Sequence, residues 1–291
     1  LSSVFFTFFL IIIFNKFSKK LNLVDRPDHR KIHTEITPVV GGLAISLNLL
    51  IGVVLFPNYF PNNFHGVIFI CSLLAIIGAI DDSLDIHYLI KLIIQSLIIL
   101  ILITNYNVLI QSLGIINDKQ VLNLGLYSFS FTFIAILGFI NSINFIDGID
   151  GLSSSYSILS LVIFMFLSLL YTGSDFEFFI IYLIISIFTF LIFNLALFGL
   201  PKVFLGDSGS FYLAGLIASI FIIYSQNPNF SIHPLLVPWC ITLSIYDLLF
   251  NTLRRSLKLS NPFKPDNFHL HHRLLRIGLN QNKTLFIIIL L

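Results

Sequence analysis

The segment "NSINFIDGIDGL" (141–152) sets Asn141, Asn144, Asp147 and Asp150 three residues apart in a chain that is otherwise mostly hydrocarbon. On a helix, neighbours in such a series share a face, with a drift around the axis at each step. Gly148 and Gly151 let the backbone turn and leave room for a ligand near the main chain. A polar loop capping the next helix, with Ser153 to Ser155 as caps, would explain the acids but not two amides in register with them. "AIDDSLDI" gives a second acidic group, Asp81, Asp82 and Asp85, followed by Lys91. Paired carboxylates raise one another's pKa, so they point to a divalent metal, to a base, or, blandly, to a hydrated loop. In "KVFLGDSGS", Asp207 stands among small residues at a helix start, where a phosphate can reach backbone N–H groups and a carboxylate can hold magnesium against it. The last cluster, "HLHH", places His269, His271 and His272 beside Arg273 and Arg276. With no second Cys/His group to complete zinc ligation, phosphate contact is the better reading. His65, His87 and His233 are isolated and read as incidental.

These groups must be positioned by apolar helices. Of 291 residues 57% are hydrophobic and only 10% charged, far from a soluble composition. The class is an all-α polytopic membrane protein, one domain over 1–291. Spans are expected near 1–14, 40–56, 66–80, 89–104, 129–144, 152–171, 177–197, 208–225 and 234–253, with about a tenth starting near Thr284. The first span has its lysines after the apolar run and no cleavage site, so it reads as an anchor. The sequence opens without Met and stops inside an apolar run, so both ends are expected to be truncated. Cys71 and Cys240 fall within spans and read as packing residues.

Alternating the loops puts 15–39, 81–88, 145–151, 198–207 and 254–283 on one side. That side carries Lys16, Lys19, Lys20, Arg26, Arg30, Lys31, Lys202, Arg254, Arg255, Lys258, Lys264, Arg273, Arg276 and Lys283, against Lys119 alone on the other. The positive-inside rule makes it cytoplasmic, with the N-terminus out. The acids and histidines of the four motifs share that side, which describes a magnesium-dependent site for phosphoryl chemistry.

Five motifs in order then resemble the polyprenyl-phosphate N-acetylhexosamine-1-phosphate transferases. They are "DRPDHRKIHTEITPVVGG" (25–42), "DDSLDIHYLIKLIIQ" (81–95), "NSINFIDGIDGL" (141–152), "KVFLGDSGS" (202–210) and "KPDNFHLHHRLLRIGL" (264–279). The resemblance implies attack of undecaprenyl phosphate on a UDP-N-acetylhexosamine, giving a polyprenyl-diphosphate sugar and UMP in the bacterial cytoplasmic membrane. The "HLHH" form resembles the branch that starts O-antigen, common antigen or teichoic acid synthesis, where the sugar is most often GlcNAc. Phospho-MurNAc-pentapeptide transfer is the alternative within the family. By the same resemblance Asp207 and Asn144 are expected to hold Mg2+, or Mn2+ in its place. Asp81, Asp82, Asp147 and Lys91 are expected to be catalytic, with Asp81, Asp82 and Lys91 on the lipid-phosphate side. Asp150 is expected on the uridine, and His269, His271, His272 and Arg273 on the diphosphate and sugar. Asn267 stands where the family commonly has arginine. Membrane lipid is an expected partner and nucleic acid is not, with homodimerisation left open. A secondary transporter would place acids near mid-span and show a repeat, and a polyprenyl-diphosphate phosphatase would need no uridine site.

Overall fold

The computed structural model describes residues 1–27, 35–116, 120–171, 177–227, 232–257 and 268–291. Arg30, Lys31, Lys119, Lys258, Lys264, Asp266 and Asn267 lie outside the described residues. The helices are α1 (Ser2–Phe17), α2 (Gly41–Leu55), α3 (Asn62–Leu84), α4 (Tyr88–Tyr106), α5 (Ser128–Ile146), α6 (Leu152–Tyr171), α7 (Glu177–Asn194), α8 (Gly206–Ser225), α9 (Val237–Cys240), α10 (Thr242–Leu257), α11 (Leu270–Arg276) and α12 (Gln281–Leu290). Among the described residues, five helical segments are long and apolar enough to cross a bilayer: Asn62–Leu84, Tyr88–Tyr106, Gly125–Ile146, Glu177–Asn194 and Gly206–Ser225. The protein is therefore a helical membrane protein.

Each expected span finds an apolar helix, but α1, α2 and α12 have only 10–17 residues. The span expected over 234–253 is bent by 77° between Pro234–Cys240 and Thr242–Leu257. Pro238 falls in the first turn of the short α9, and the chain restarts as a second helix after Ile241. Two small antiparallel pairs interrupt the all-α pattern: β1 (Val24–Asp25) with β2 (Thr37–Pro38), and β3 (Ser112–Ile116) with β4 (Gln120–Asn123).

The helix α8 is the axis of the bundle, packed against α2, α3 and α5, and every residue over 208–222 is buried. Its neighbours come close because they offer glycine. A Cβ on Gly42 would overlap the backbone of Ser208 and Gly209, and one on Gly78 the backbone of Asp207 and Ser208. Bulky apolar side chains such as Phe69, Ile76, Phe131, Ile134, Phe188 and Trp239 face outward. Polar groups are gathered inside, as where Asn48 of α2 donates to Thr7 of α1 and Ser186 of α7 and accepts from Tyr182. Interhelical hydrogen bonds of this kind contribute about 0.6–2 kcal/mol each in a membrane. Cys71 and Cys240 are buried free thiols.

Candidate active site

Five chain-separated segments meet at one cavity of about 430 Å³. Asp25 and Val39 come from the first polar segment, Asp82 from the end of α3, and Asp147 to Asp150 from the α5–α6 turn. Lys202 and 204–207 lead into α8, and His272 and Gln281 come from the last segment. These are the five loops that parity placed together. Backbone bonds fix the convergence: Phe204 N donates to Pro38 O at 2.8 Å, and Gly41 N and Gly42 N donate to Phe204 O and Leu205 O.

The sequence suggests an acidic loop at 81–88, but α3 continues to Leu84 and carries Asp81 and Asp82 on its last turns. Adjacent residues on a helix point about 100° apart, so the two acids have different work. Asp81 is buried, with Oδ2 at 2.5 Å from Lys91 Nζ and Oδ1 accepting from Ile86 N at 2.9 Å. Asp82 accepts from Asp207 N at 3.0 Å and Ser208 N at 3.3 Å, so it caps the first turn of α8. Asp85 ends α3 in a left-handed conformation.

The register 141–144–147–150 does not run along one helix. Helix α5 stops at Ile146, and Asp147 leaves it at φ −71°, ψ 53°. Asn141 turns to Gln95 at 3.2 Å and its own helix, while Asn144 donates to Asp207 Oδ1 at 2.8 Å and Ser210 Oγ at 3.0 Å. Asp150 pairs with Lys202 at 2.5 Å. The chain enters α6 through Gly151, at φ 78°, whose N–H is held by Asn194 Oδ1 at 2.6 Å in place of a serine cap. Burial, with Asp82 and Asp150 nearby, pushes the Asp147 carboxyl up to about 7.

The donor set suits magnesium. The carboxyls of Asp81 and Asp207 lie within hydrogen-bonding reach of each other, and Lys91 approaches both, at 2.5 and 3.8 Å. Two such carboxylates form a hard, anionic corner that Lys91 neutralises in part and a small divalent cation would relieve further, and Asn144 meets it through its amide nitrogen. Among the described residues no three His, Cys, Asp or Glu side chains make a complete cage. The fit is to an ion that draws the rest of its shell from water and substrate phosphates.

The histidines separate. His272 lines the cavity. His271 is buried against Gly148, where a Cβ would overlap its ring, and its Nε2 has no hydrogen-bond partner among the described residues. Burial, with His272 and His269 alongside, pushes its imidazole down to about 3, so it stays neutral. His269 is buried with Nδ1 at 2.6 Å from Asp247 Oδ2. Arg273 is exposed and stacks over Phe250 at 4.8 Å, and it is not among the cavity-lining residues. The isolated histidines serve local structure: His87 caps α4, His65 bonds Phe60 O, and His233 accepts from Leu235 N and bonds Ile115 O beside Gly114.

Sequence reasoning passed over Lys202 as a partner for Asp150, Asn194 as the clamp between Gly151 N and Val203 O, and Asp247. The last had a signal. It is the one acid within the 234–253 apolar stretch, and an ionised group there is costly without a partner.

Comparison with known proteins points the same way. A model of glycosyl transferase family 4 matches residues 64–225. The undecaprenyl-phosphate alpha-N-acetylglucosaminyl 1-phosphate transferase of Salmonella typhi is 31% identical over 294 residues, covering 100% of this chain and 79% of that protein. Proteins of the same name from Escherichia coli K12 and Haemophilus influenzae are 29% and 31% identical, with 79% and 82% of their lengths covered.

Proposed function

The chain belongs to glycosyl transferase family 4, and on that premise we propose that it transfers N-acetylglucosamine 1-phosphate from a UDP-sugar to undecaprenyl phosphate. A lipid-phosphate oxygen forms a bond to the β-phosphorus of the donor. The bond from that phosphorus to the bridging oxygen breaks, and UMP leaves with the electron pair. The observation that carries the reading is the meeting of five polar segments at one carboxylate-lined cavity in a helical membrane protein. One substrate must arrive from the bilayer and the other from water, so the site belongs at an interface. The loop charge bias supports the cytoplasmic face of a bacterial inner membrane, with the N-terminus outside.

Asp207 and Asn144 would hold magnesium, which supplies charge neutralisation on the donor diphosphate when bound. Asp82 holds the N-terminal turn of α8, and so Asp207, in place. Lys91, set by Asp81, offers a cation to the attacking phosphate. That phosphate is largely ionised near neutrality, so Asp81 positions Lys91 rather than serving as the base. Asp150 and Lys202 stand at the nucleotide end, with His272 on the donor diphosphate or sugar. Consuming UDP-GlcNAc in this way would begin a cell-envelope glycan.

Purified protein given radiolabelled UDP-GlcNAc, undecaprenyl phosphate and magnesium is expected to make a labelled lipid and UMP. Label appearing only with UDP-MurNAc-pentapeptide would move the protein to the other branch of the family. Absence of any labelled lipid, with ion-coupled flux in proteoliposomes, would replace the reading with a transporter.

A further inference from the structure

The helix α10 carries an inward polar stripe that the transfer reaction leaves unexplained. Ser244, Asp247, Asn251 and Arg255 are buried, while Tyr246, Leu249, Phe250 and Leu253 on the other faces are exposed. Asp247 divides its two oxygens between two groups of the histidine segment: Oδ2 lies 2.6 Å from His269 Nδ1, and Oδ1 accepts from Leu270 N at 3.0 Å. Asn251 braces the carboxylate of that pair, its Nδ2 donating to Asp247 Oδ1 at 3.1 Å.

We propose that Asp247 is a positioning residue: by fixing His269 and the first N–H of α11 it sets where His272 enters the cavity. The proposal rests on the transferase reading above. One turn of helix separates the tether from His272, and His271 lies between them, packed on Gly148. The segment is thus pinned at Asp247, seated on the α5–α6 turn and presented to the cavity at His272. His269 and His271 belong to the support of the segment, and His272 is the one of the three on the cavity wall. A carboxylate bound to an imidazole also fixes which ring nitrogen carries the proton, and so the orientation of the ring.

The replacement Asp247→Asn keeps an oxygen for Leu270 N but cannot supply a second one to His269. Steady-state kinetics of purified full-length protein should show the KM for UDP-GlcNAc raised about tenfold, with the KM for undecaprenyl phosphate within about twofold. Adding Asp247→Asn to His269→Ala should change the donor KM by less than about twofold, because the two act as one unit. Asn251→Ala should shift the donor KM in the same direction by a smaller factor, and it carries the test if Asp247→Asn fails to accumulate. Equal losses for both substrates, additive effects in the cycle, or unchanged kinetics would overturn the proposal while leaving the transferase intact. Wild-type protein that makes no labelled lipid would bring down both.

Discussion

Asp147 and His271 pull stability in opposite directions over the same pH range. Asp147 keeps its proton in the folded state to about pH 7, whereas the unfolded chain releases it near 3.8. Its contribution is fully present below the unfolded value and is lost as pH rises through 7. His271 refuses a proton in the folded state until about pH 3, whereas the unfolded chain takes one near 6.5. Its contribution is present above 6.5 and is lost as pH falls toward 3. Relative to wild type, the unfolding midpoint of Asp147→Asn should therefore rise with pH between 4 and 7. That of His271→Ala should fall with pH over 3 to 6.5. Thermal unfolding in detergent at several pH values reads both, and parallel curves would refute the assignment. At the same scale, Asp207→Asn should lower turnover about 100- to 1000-fold, the usual effect of removing one group that stabilises transition-state charge. Normal turnover at limiting magnesium would take Asp207 out of the metal site.

Between elements, the contacts of α8 with α2 and α3 depend on the absence of side chains. Gly78→Ala would set a methyl group against the backbone of Asp207 and Ser208, which cannot yield as a flexible side chain could. The displaced helix start would carry Asp207 with it, so stability and turnover should fall together, by about 1–3 kcal/mol in stability. Gly148→Ala meets a different obstacle, the ring of His271. Its lost activity should return in part when His271→Ala restores the space, measured as labelled lipid formed per folded protein. Gly78→Ala should gain nothing from the same second change.

Across the whole molecule the cavity-lining acids lie at one end of the bundle and the β3–β4 pair follows the other end of α4. This makes orientation measurable. With the buried Cys71 and Cys240 replaced, Leu126→Cys, a fully exposed position, should react with an impermeant maleimide on intact cells. Asn280→Cys, exposed beside the cavity residue Gln281, should react only after the membrane is opened. The reverse pattern would invert the topology.

Composition determined that this chain is a helical membrane protein, and loop parity grouped the acids of its motifs, the HLHH histidines and most cations in loops expected on one side. They did so because hydrocarbon length and loop charge act locally along a chain, before any helix meets another. The identities of Asp81, Asp82, Asp147, Asp150 and Asp207 as a group were legible in the same way, since ionisable residues amid apolar runs need a reason. Their separate duties were not. That Asp82 caps α8 while its neighbour Asp81 holds Lys91 depends on a difference of about 100° around α3 and on what each direction meets. That Asn141 leaves the site while Asn144 joins it follows from the packing of α5 between α4 and α8. The sorting of three adjoining histidines into a tether, a support and a cavity wall required the position of Asp247, more than twenty residues earlier in the chain. Residue type and spacing state which chemistry is present; only the packing of helices decides which atom faces which, because hydrogen bonds are read over about 3 Å and not along the sequence.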